Sequence, residues 1–288
     1  MKQRALLLVN PHARRGKEAQ MQAVQQLQAL GFELIQESAL NPQLLPQIIR
    51  QYRQQVDLVI ISSGDGTVNA AIEGLLETQL PLGILPSGTA NNLARSLKIP
   101  RSLPEACKII AAGKIQRIDL GWVNGKHFFN VAGLGLSAQI NRQVPKSWKR
   151  RWGVLAYAAV ALQVLWQAQA FEAEIRCDDR SIGVKTFQIT VCNGRYYGSG
   201  LLVAEDAAID DQRLDLYSVE TQNWWELLAL LPAIIQGKKA HGVLTLQGKQ
   251  IDILTTVITS IDTDGELTTT TPAQFRVIPQ VLPVFVPL

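Results

Sequence analysis

The chain has 288 residues, of which 47% are hydrophobic and 18% are charged, and its formal net charge is +4. These proportions exclude a disordered chain, and the length allows one large domain or two ordinary ones. The mildly basic balance suits an anionic phosphate or an anionic membrane surface, but it is too small to indicate nucleic acid binding.

The cysteines and the apolar stretches indicate the compartment. Cys107, Cys177 and Cys192 are widely spaced without a CxxC pair, which predicts neither a disulfide framework nor a zinc site. The first ten residues lack the apolar core of a signal peptide and are typical of a strand. Glutamines interrupt the most apolar stretch, Val154–Phe171, so it is too short to span a bilayer. We therefore expect a cytoplasmic protein.

The first third of the chain alternates apolar runs of strand length with helical patterns. This alternation predicts a Rossmann-like, parallel α/β sheet with right-handed crossovers. Each of the last two strands is followed by a glycine-containing turn and a further helical pattern. The predicted elements are strand Ala5–Val9, helix Lys17–Leu30, strand Phe32–Gln36, helix 41–54, strand Val56–Ile61 and strand Leu82–Leu85.

From about Lys126 the pattern becomes rich in strands, which predicts a second, mainly antiparallel β-sandwich domain. Helical patterns near 148–169 and 224–236 interrupt it. We expect an α/β domain over 1–125, a β-rich domain over 126–274, and a return of 275–288 to the first domain. The candidate strands of the second domain are Thr186–Cys192, Leu214–Val219, Val243–Leu246, Ile251–Leu254 and Thr256–Ile261.

The strongest chemical signal is a glycine-rich turn between the strand Val56–Ile61 and a helix expected from about Val68. Glycines in such a turn let backbone N–H groups approach phosphate oxygens without a Cβ in the way. Asp65 could act on a metal or a proton, and Thr67 adds a hydroxyl group. The alternative is a tight turn in which Asp or Thr caps the helix. The turn consists of Ser63, Gly64, Asp65, Gly66, Thr67, Val68 and Asn69.

A second turn of the same kind follows the strand Leu82–Leu85 and contains Gly88 and Thr89. Both turns would lie at the carboxyl ends of strands of one sheet, where open α/β sheets bind ligands. Cations that follow the first strand, among them Arg15, would stand at the same edge and could reach phosphate oxygens. Together these three segments favour a phosphate-binding site.

These motifs resemble the catalytic domain shared by diacylglycerol kinases, sphingosine kinases and bacterial lipid kinases. Members of that family carry a Gly-Gly-Asp-Gly-Thr-x-Asn-Glu loop and a Leu-Pro-x-Gly-Thr-Ala-Asn-Asp-Phe-Ala-Arg loop. The similarity runs through almost the whole chain, and it is specific because five separate motifs occur in the same order as in the family. The first loop alone would not be specific, since NAD kinases and phosphofructokinases share a version of it. Further matches are residues 118–121 (Ile-Asp-Leu-Gly), 129–135, 193–200 and 264–266 (Asp-Gly-Glu).

The resemblance implies a lipid kinase that transfers the γ-phosphate of ATP to a lipid hydroxyl, with diacylglycerol as the commonest substrate of the family. Glu266 corresponds to the proposed general base, with Asp65 as an alternative base. Asp119, expected after the fifth strand, corresponds to a carboxylate that helps to organise catalytic Mg²⁺. The residues implied to hold ATP are Ser38, Arg15, residues 63–69 (Ser63 to Asn69), Gly88 and Thr89.

The resemblance also implies a second Mg²⁺ site, in the β-rich domain. Ala208, Asp211 and Arg213 match a site built from two backbone carbonyls and one carboxylate, a donor set that suits a hard cation. Several positions depart from the family pattern: Ser63 replaces a glycine, Ala70 a glutamate, Asn92 an aspartate and Gln212 a frequent glycine. The loss of two carboxylates could mean altered nucleotide handling or weak activity.

A lipid acceptor requires access to a membrane. Residues 148–152 (Trp-Lys-Arg-Arg-Trp) combine aromatic and basic groups, which favours peripheral docking at the inner face of the membrane. Trp224 and Trp225 form a second candidate, for which we favour ordinary packing. We also expect that an edge strand of the second domain could pair two copies into a homodimer.

Three interpretations remain open at this stage. Asp264-Gly265-Glu266 could be only a hairpin turn, because Asp-Gly is a strong turn signal, or a turn that presents Glu266 to the substrate. The acceptor could be soluble, as in an NAD kinase. The chain could also be a catalytically weak regulator that binds lipid or nucleotide.

Overall fold

The computed structural model describes residues 3–9, 16–143, 166, 168–194, 196–197, 201–202, 208–220, 226 and 242–288. The chain divides into two compact units. Unit 1 consists of residues 1–119 and 279–288, and unit 2 of residues 120–278. Two strands, β5 (Ile115–Val123) and β18 (Ala273–Phe285), contain residues of both units.

Unit 1 is built on a parallel sheet. Its strands are β1 (Arg4–Val9), β2 (Glu33–Ser38), β3 (Leu58–Ser63) and β4 (Leu82–Pro86), in the order β2-β1-β3-β4. Val284 of β18 pairs with Leu82 in parallel, next to β4. Every residue of β3 and β4 is buried, as expected of strands in a parallel sheet that is covered on both faces.

The helices of unit 1 follow the strands as crossover connections. Helix α1 contacts α6, and α2 contacts α4. Helix α6 ends at Gly113, whose φ of 75° is the left-handed conformation that favours glycine after a helix. The helices are α1 (Gly16–Ala29), α2 (Leu45–Tyr52, after a 3₁₀ turn at Pro42–Leu44), α3 (Asp65–Ala70), α4 (Ile72–Thr78), α5 (Asn92–Ser96) and α6 (Leu103–Ala112).

Unit 2 contains an antiparallel sheet in the order β14-β13-β10-β7-β16-β17. Helix α7 (Leu136–Gln143) follows β7 directly. The strands of this sheet are β7 (Val131–Gly135), β10 (Gln188–Cys192), β13 (Leu214–Val219), β14 (Val243–Gly248), β16 (Ser260–Thr263) and β17 (Glu266–Thr270).

The remaining strands of unit 2 complete the sandwich. β15 (Gln250–Thr255) pairs with the first part of β18 and with β8 (Phe171–Cys177), which pairs with β9 (Arg180–Thr186), all antiparallel. One buried apolar cluster joins side chains of these strands, such as Ile175 and Phe275, to side chains of the six-stranded sheet, such as Leu134 and Leu216. The short strands β6 (Lys126–Phe128), β11 (Tyr196–Tyr197) and β12 (Leu201–Leu202) belong to hairpins.

The predicted fold class is confirmed, and several boundaries differ. Helix α3 begins at Asp65 rather than near Val68. The predicted strand Thr256–Ile261 is wrong in its first half, because the hydroxyls of Thr255 and Thr259 both donate to the carbonyl of Val257 and fold this segment into a turn. Helix α7 was not predicted. The helical patterns near 148–169 and 224–236 lie largely outside the described residues.

None of the helices among the described residues is both long enough and apolar enough to cross a bilayer.

Candidate functional site

The two glycine turns of unit 1 lie side by side. β3 and β4 are parallel neighbours in which Ser63 is level with Pro86, so both turns leave the sheet at the same edge. The amide of Ser87 donates to the carbonyl of Ser63 at 3.1 Å. A Cβ on Gly64 would lie 3.1 Å from Gly88 Cα, and a Cβ on Gly88 would collide with Gly64 Cα. The backbones therefore touch; glycine is required at position 88, and a side chain at position 64 would need the backbone of Gly88 to shift by a few tenths of an ångström.

Asp65 links the first turn to the second. Its Oδ1 accepts a hydrogen bond of 3.1 Å from the amide of Leu93, in the helix that follows the second turn. Asp65 is half-buried as the first residue of α3. Hence its carboxylate fixes the relative position of the two turns, whatever else it does.

The predicted hydroxyl donor of the first turn has a partner inside the turn. The hydroxyls of Ser63 and Thr67 are 2.6 Å apart, and both side chains are buried. Ser63, which replaces a glycine of the family pattern, thus gains a hydrogen bond that glycine could not make. Val68 is also buried, whereas Gly66 is exposed.

The second turn is organised by Asn91, which the sequence did not single out. Asn91 adopts the left-handed conformation at φ 53°. Its Oδ1 accepts from the amide of Gly88 at 3.0 Å, and its Nδ2 donates to the carbonyl of Gly88 at 2.9 Å. The spacing of three residues between Gly88 and Asn91 is the signal that could have indicated this turn.

Two arginines hold the carbonyl side of the second turn. Arg101 Nη2 donates to the carbonyl of Thr89 at 2.9 Å, and Arg95 Nε donates to the carbonyl of Ala90 at 3.0 Å. The C=O and N–H groups of a trans peptide point in opposite directions. The amides of Ala90 and Asn91 are therefore directed away from the arginines, on a turn whose Thr89 is exposed. Neutral backbone donors beside an exposed hydroxyl suit a phosphate group.

The other nucleotide-binding predictions fall at the same edge or outside the described residues. Ser38 is the exposed last residue of β2 and is level with Val9, the last residue of β1. It is two strands away from β3, roughly 10 Å at the usual strand spacing. Asn69 lies in α3. Arg15, and likewise the basic cluster at 148–152 and the pair Trp224 and Trp225, lie outside the described residues.

Asp119 lies inside β5, not after it as predicted, and is fully buried. Its Oδ1 accepts from the amide of Gln280 at 2.6 Å. The neighbouring Arg117 donates to Gln79 Oε1 at 2.8 Å, and Gln79 precedes β4. These contacts place Asp119 near the beginning of β4, whereas the glycine turns follow the ends of β3 and β4.

The segment Asp264-Gly265-Glu266 is a hairpin turn between β16 and β17. Asp264 and Gly265 have φ values of 48° and 88°, as a tight two-residue hairpin requires. The hairpin interpretation is thus confirmed. Glu266 opens β17 opposite Thr263, and its side chain is exposed.

Asp264 has a contact that the sequence did not indicate. Its carboxylate accepts hydrogen bonds from three successive amides, those of Phe129 at 2.8 Å, Asn130 at 3.0 Å and Val131 at 3.1 Å. These residues belong to the predicted motif 129–135. The hairpin and this motif are therefore one structural feature of unit 2, and Glu266 is attached to it.

The residues expected to hold a second Mg²⁺ form a closed turn. Asp211 Oδ2 accepts from the amide of Ala208 at 3.0 Å, and Oδ1 accepts from the amide of Arg213 at 3.3 Å. Arg213 Nε lies 3.2 Å from Asp211 Oδ2. In this arrangement N–H groups and a cationic side chain face both carboxylate oxygens, which does not fit a divalent cation. Across the described parts of the chain there is also no cluster of three His, Cys, Asp or Glu residues that could hold a metal.

Two family models match consecutive parts of the chain. Residues 4–123 match the diacylglycerol kinase catalytic domain, and residues 130–286 match the YegS C-terminal NAD kinase beta sandwich-like domain. The parallel α/β sheet with two apposed glycine turns and the β-sandwich agree with these two descriptions. The chain belongs to the diacylglycerol kinase catalytic-domain family of lipid kinases.

Individual relatives agree with this membership. A Staphylococcus haemolyticus protein named "Putative lipid kinase SH2167" is 27% identical over 240 residues, which are 82% of this chain and 78% of that protein. A Staphylococcus aureus protein named "Putative lipid kinase SAS0691" is 27% identical over 238 residues, 81% of this chain and 78% of that protein.

Solved structures share the fold. A crystal structure described as a "putative diacylglycerol kinase" from Bacillus anthracis matches with a TM-score of 0.85 at 25% identity and covers 100% of this chain and 96% of that one. A second from the same organism, described in the same words, has a TM-score of 0.80 at 24% identity, covering 99% and 97%, and shows similarity of fold alone.

Proposed function

We propose that this chain is an ATP-dependent lipid kinase that phosphorylates a hydroxyl group of diacylglycerol or a related lipid. The observation that carries the proposal is the backbone contact of Gly64 with Gly88, in a chain that belongs to a lipid kinase family. That contact brings together two turns with exposed backbone, as a triphosphate site requires.

In this proposal the protein contributes position and charge, which is most of what phosphoryl transfer needs. When bound, ATP with Mg²⁺ supplies the phosphoryl group. The exposed positions Gly66 and Thr89 and the directed amides of Ala90 and Asn91 hold the phosphates. The carboxylate of Asp65 accepts one hydrogen bond from the amide of Leu93 and has further lone pairs that could bind a cation. Asp65 is therefore the residue of the two turns that would bind the metal. Asp119 is buried near the beginning of β4, and this proposal assigns it no contact with the phosphates.

Glu266 is the proposed general base for the lipid hydroxyl. Its exposure on a hairpin held by Asp264 supports this role, because the side chain is accessible while its backbone is fixed. Removing a general base lowers turnover by roughly 10²- to 10⁴-fold. We expect this loss in Glu266→Gln, with nucleotide affinity unchanged, measured by titration with a fluorescent ATP analogue. Full activity of Glu266→Gln would exclude the role and leave Asp65 as the base.

The test of the proposed function is incubation of the purified chain with ATP, MgCl₂ and separate acceptors. The acceptors are diacylglycerol, phosphatidylglycerol, a sphingoid base, an undecaprenyl-type alcohol and NAD, and products are identified by mass spectrometry. We expect a phosphorylated lipid with wild type and not with Glu266→Gln. Phosphorylation of NAD alone would indicate a soluble acceptor. Nucleotide binding without any product would indicate a regulator.

Peripheral attachment to the inner face of the membrane is part of the proposal. Val257 and Ile258, in the loop after β15, expose 69% and 77% of their surface, which supports insertion of this loop among lipid headgroups. We expect the double variant Val257→Ser, Ile258→Ser to sediment less with anionic vesicles and to keep the wild-type melting temperature. Equal sedimentation of both proteins would exclude this loop from the membrane contact.

A further inference from the structure

The turn from Ala208 to Arg213 contains the residues that the resemblance implies for a Mg²⁺ site, but its positive charge comes from an arginine side chain. The amide of Asp211 donates to the carbonyl of Ala208 at 3.3 Å, so the turn is closed by backbone as well as by the carboxylate. Gln212 has a φ of 60°, a conformation that favours glycine, the residue frequent at this position in the family. The turn is thus kept even though its usual residue is absent.

The side chain of Arg213 supplies the positive charge of this turn. Its Nε is 3.2 Å from Asp211 Oδ2, and the two side chains are 36% and 22% exposed. Oδ2 therefore accepts a hydrogen bond from the amide of Ala208 and lies within ion-pair distance of the guanidinium, while Oδ1 accepts from the amide of Arg213.

Charge counting argues against a cation in addition to this arginine. The predicted ligands are two neutral carbonyls and one carboxylate, and the guanidinium already balances that carboxylate. The affinity of oxygen sites for hard cations depends on the number of charged ligands, and here the net charge of the set is zero. A divalent ion would also be repelled by the guanidinium at short range.

We infer that the guanidinium of Arg213 takes the place of the metal ion, so that the Asp211 turn is stable without Mg²⁺. The inference concerns the stability of unit 2 and does not rest on kinase activity. It is specific to a chain that has an arginine at this position with its side chain turned back onto the carboxylate.

The experiment measures melting temperature and metal content of the full chain without nucleotide. Wild type, Asp211→Asn and Arg213→Gln are compared in EDTA and in excess MgCl₂. A ligand that binds only the folded state raises the melting temperature. We expect the same wild-type melting temperature in both buffers, no stoichiometric Mg²⁺ by elemental mass spectrometry, and a lower melting temperature for Arg213→Gln. A return of the melting temperature of Arg213→Gln to the wild-type value in MgCl₂ would further support the inference, because Mg²⁺ would then replace the missing guanidinium.

Two results would overturn the inference. The first is a wild-type chain that holds one Mg²⁺ and is destabilised by EDTA while Asp211→Asn is insensitive to it. The second is an Arg213→Gln variant that melts like wild type in EDTA. An EDTA effect that persists unchanged in Asp211→Asn would place the metal elsewhere and support the inference. Elemental analysis that finds no Mg²⁺ in wild type supports the inference even where a variant does not fold.

Discussion

Replacing Gly88 by alanine tests the contact on which the candidate site depends. The new Cβ would lie 2.8 Å from Asn91 Oδ1 and 3.1 Å from the Gly64 amide nitrogen, and it would collide with Gly64 Cα. Two of these three atoms belong to the backbone, so no rotamer change can relieve the clash and the turns must separate. Overpacking of this kind costs about 1–3 kcal/mol, which corresponds to a fall of roughly 2–5 °C in melting temperature for a chain of this size.

The matched control for Gly88→Ala is Gly183→Ala in β9. A Cβ at Gly183 meets nothing within 4 Å, so we expect a wild-type melting temperature and wild-type activity. For Gly88→Ala we expect a lower melting temperature and, because a displacement of about 1 Å in a positioning group can cost roughly 100-fold in rate, a comparable loss of ATP-dependent lipid phosphorylation. If Gly88→Ala behaved like the control in both assays, the two turns could not be in contact in solution.

Three further predictions concern other parts of the chain. Asp264→Ala leaves three amides without their acceptor and should lower the free energy of unfolding by about 2–4 kcal/mol in urea; an unchanged midpoint would contradict the hydrogen bonds to residues 129–131. Arg101→Gln removes the hydrogen bond to the carbonyl of Thr89 and should raise the KM for ATP by roughly 10-fold, which corresponds to about 1.4 kcal/mol of binding free energy. We expect an intermediate KM for Arg101→Lys, and an unchanged KM in Arg101→Gln would contradict the role of this arginine at Thr89. Burial raises the pKa of the Cys107 thiol from 9.0 to about 11. Between pH 9 and pH 11 the unfolded chain therefore loses this proton while the folded chain keeps it, which lowers the free energy of unfolding as the pH rises. We expect this decrease to be larger in wild type than in Cys107→Ala. Parallel slopes for the two proteins would contradict the burial of this thiol.

The fold and the edge that carries the site could be predicted because their signals are local. The apolar runs of β1, β3 and β4 are continuous, and only strands buried on both faces require this. The meeting of the two glycine turns followed from a general rule, that parallel strands end at a shared edge. The Asp-Gly hairpin was equally local.

The contacts between side chains and distant backbone could not be predicted. Asp264 binds amides that are more than 130 positions away in the chain, and Asp65 binds the amide of Leu93, 28 positions away. Neither the charge nor the spacing of an aspartate tells which buried amide it will accept from. At Asp211 the family resemblance implied a metal ligand, but a resemblance does not show the direction of a side chain, and the structure has Arg213 Nε 3.2 Å from the carboxylate.

The structural bond of Asp65 changes how its substitution has to be interpreted. A loss of activity in Asp65→Ala would not identify a base or a metal ligand, because the variant also removes the acceptor of the Leu93 amide. Asp65→Asn separates the two effects, since its Oδ1 can still accept that bond while the charge is lost. Hydrogen bonds to charged groups contribute about 1.5–3 kcal/mol, so Asp65→Ala should melt clearly below Asp65→Asn.

The comparison of the two variants then assigns the chemistry. If Asp65→Asn keeps its melting temperature and ATP affinity but loses roughly 10²-fold or more in turnover, the charge of Asp65 acts on the metal or on the proton. If Asp65→Asn has the turnover of wild type, Asp65 is a positioning residue, and Glu266 is the base that accepts the proton of the lipid hydroxyl. Equal melting of Asp65→Ala and wild type would mean that the bond to Leu93 does not hold the turns together, and the reasoning that joins the two glycine turns through Asp65 would be wrong.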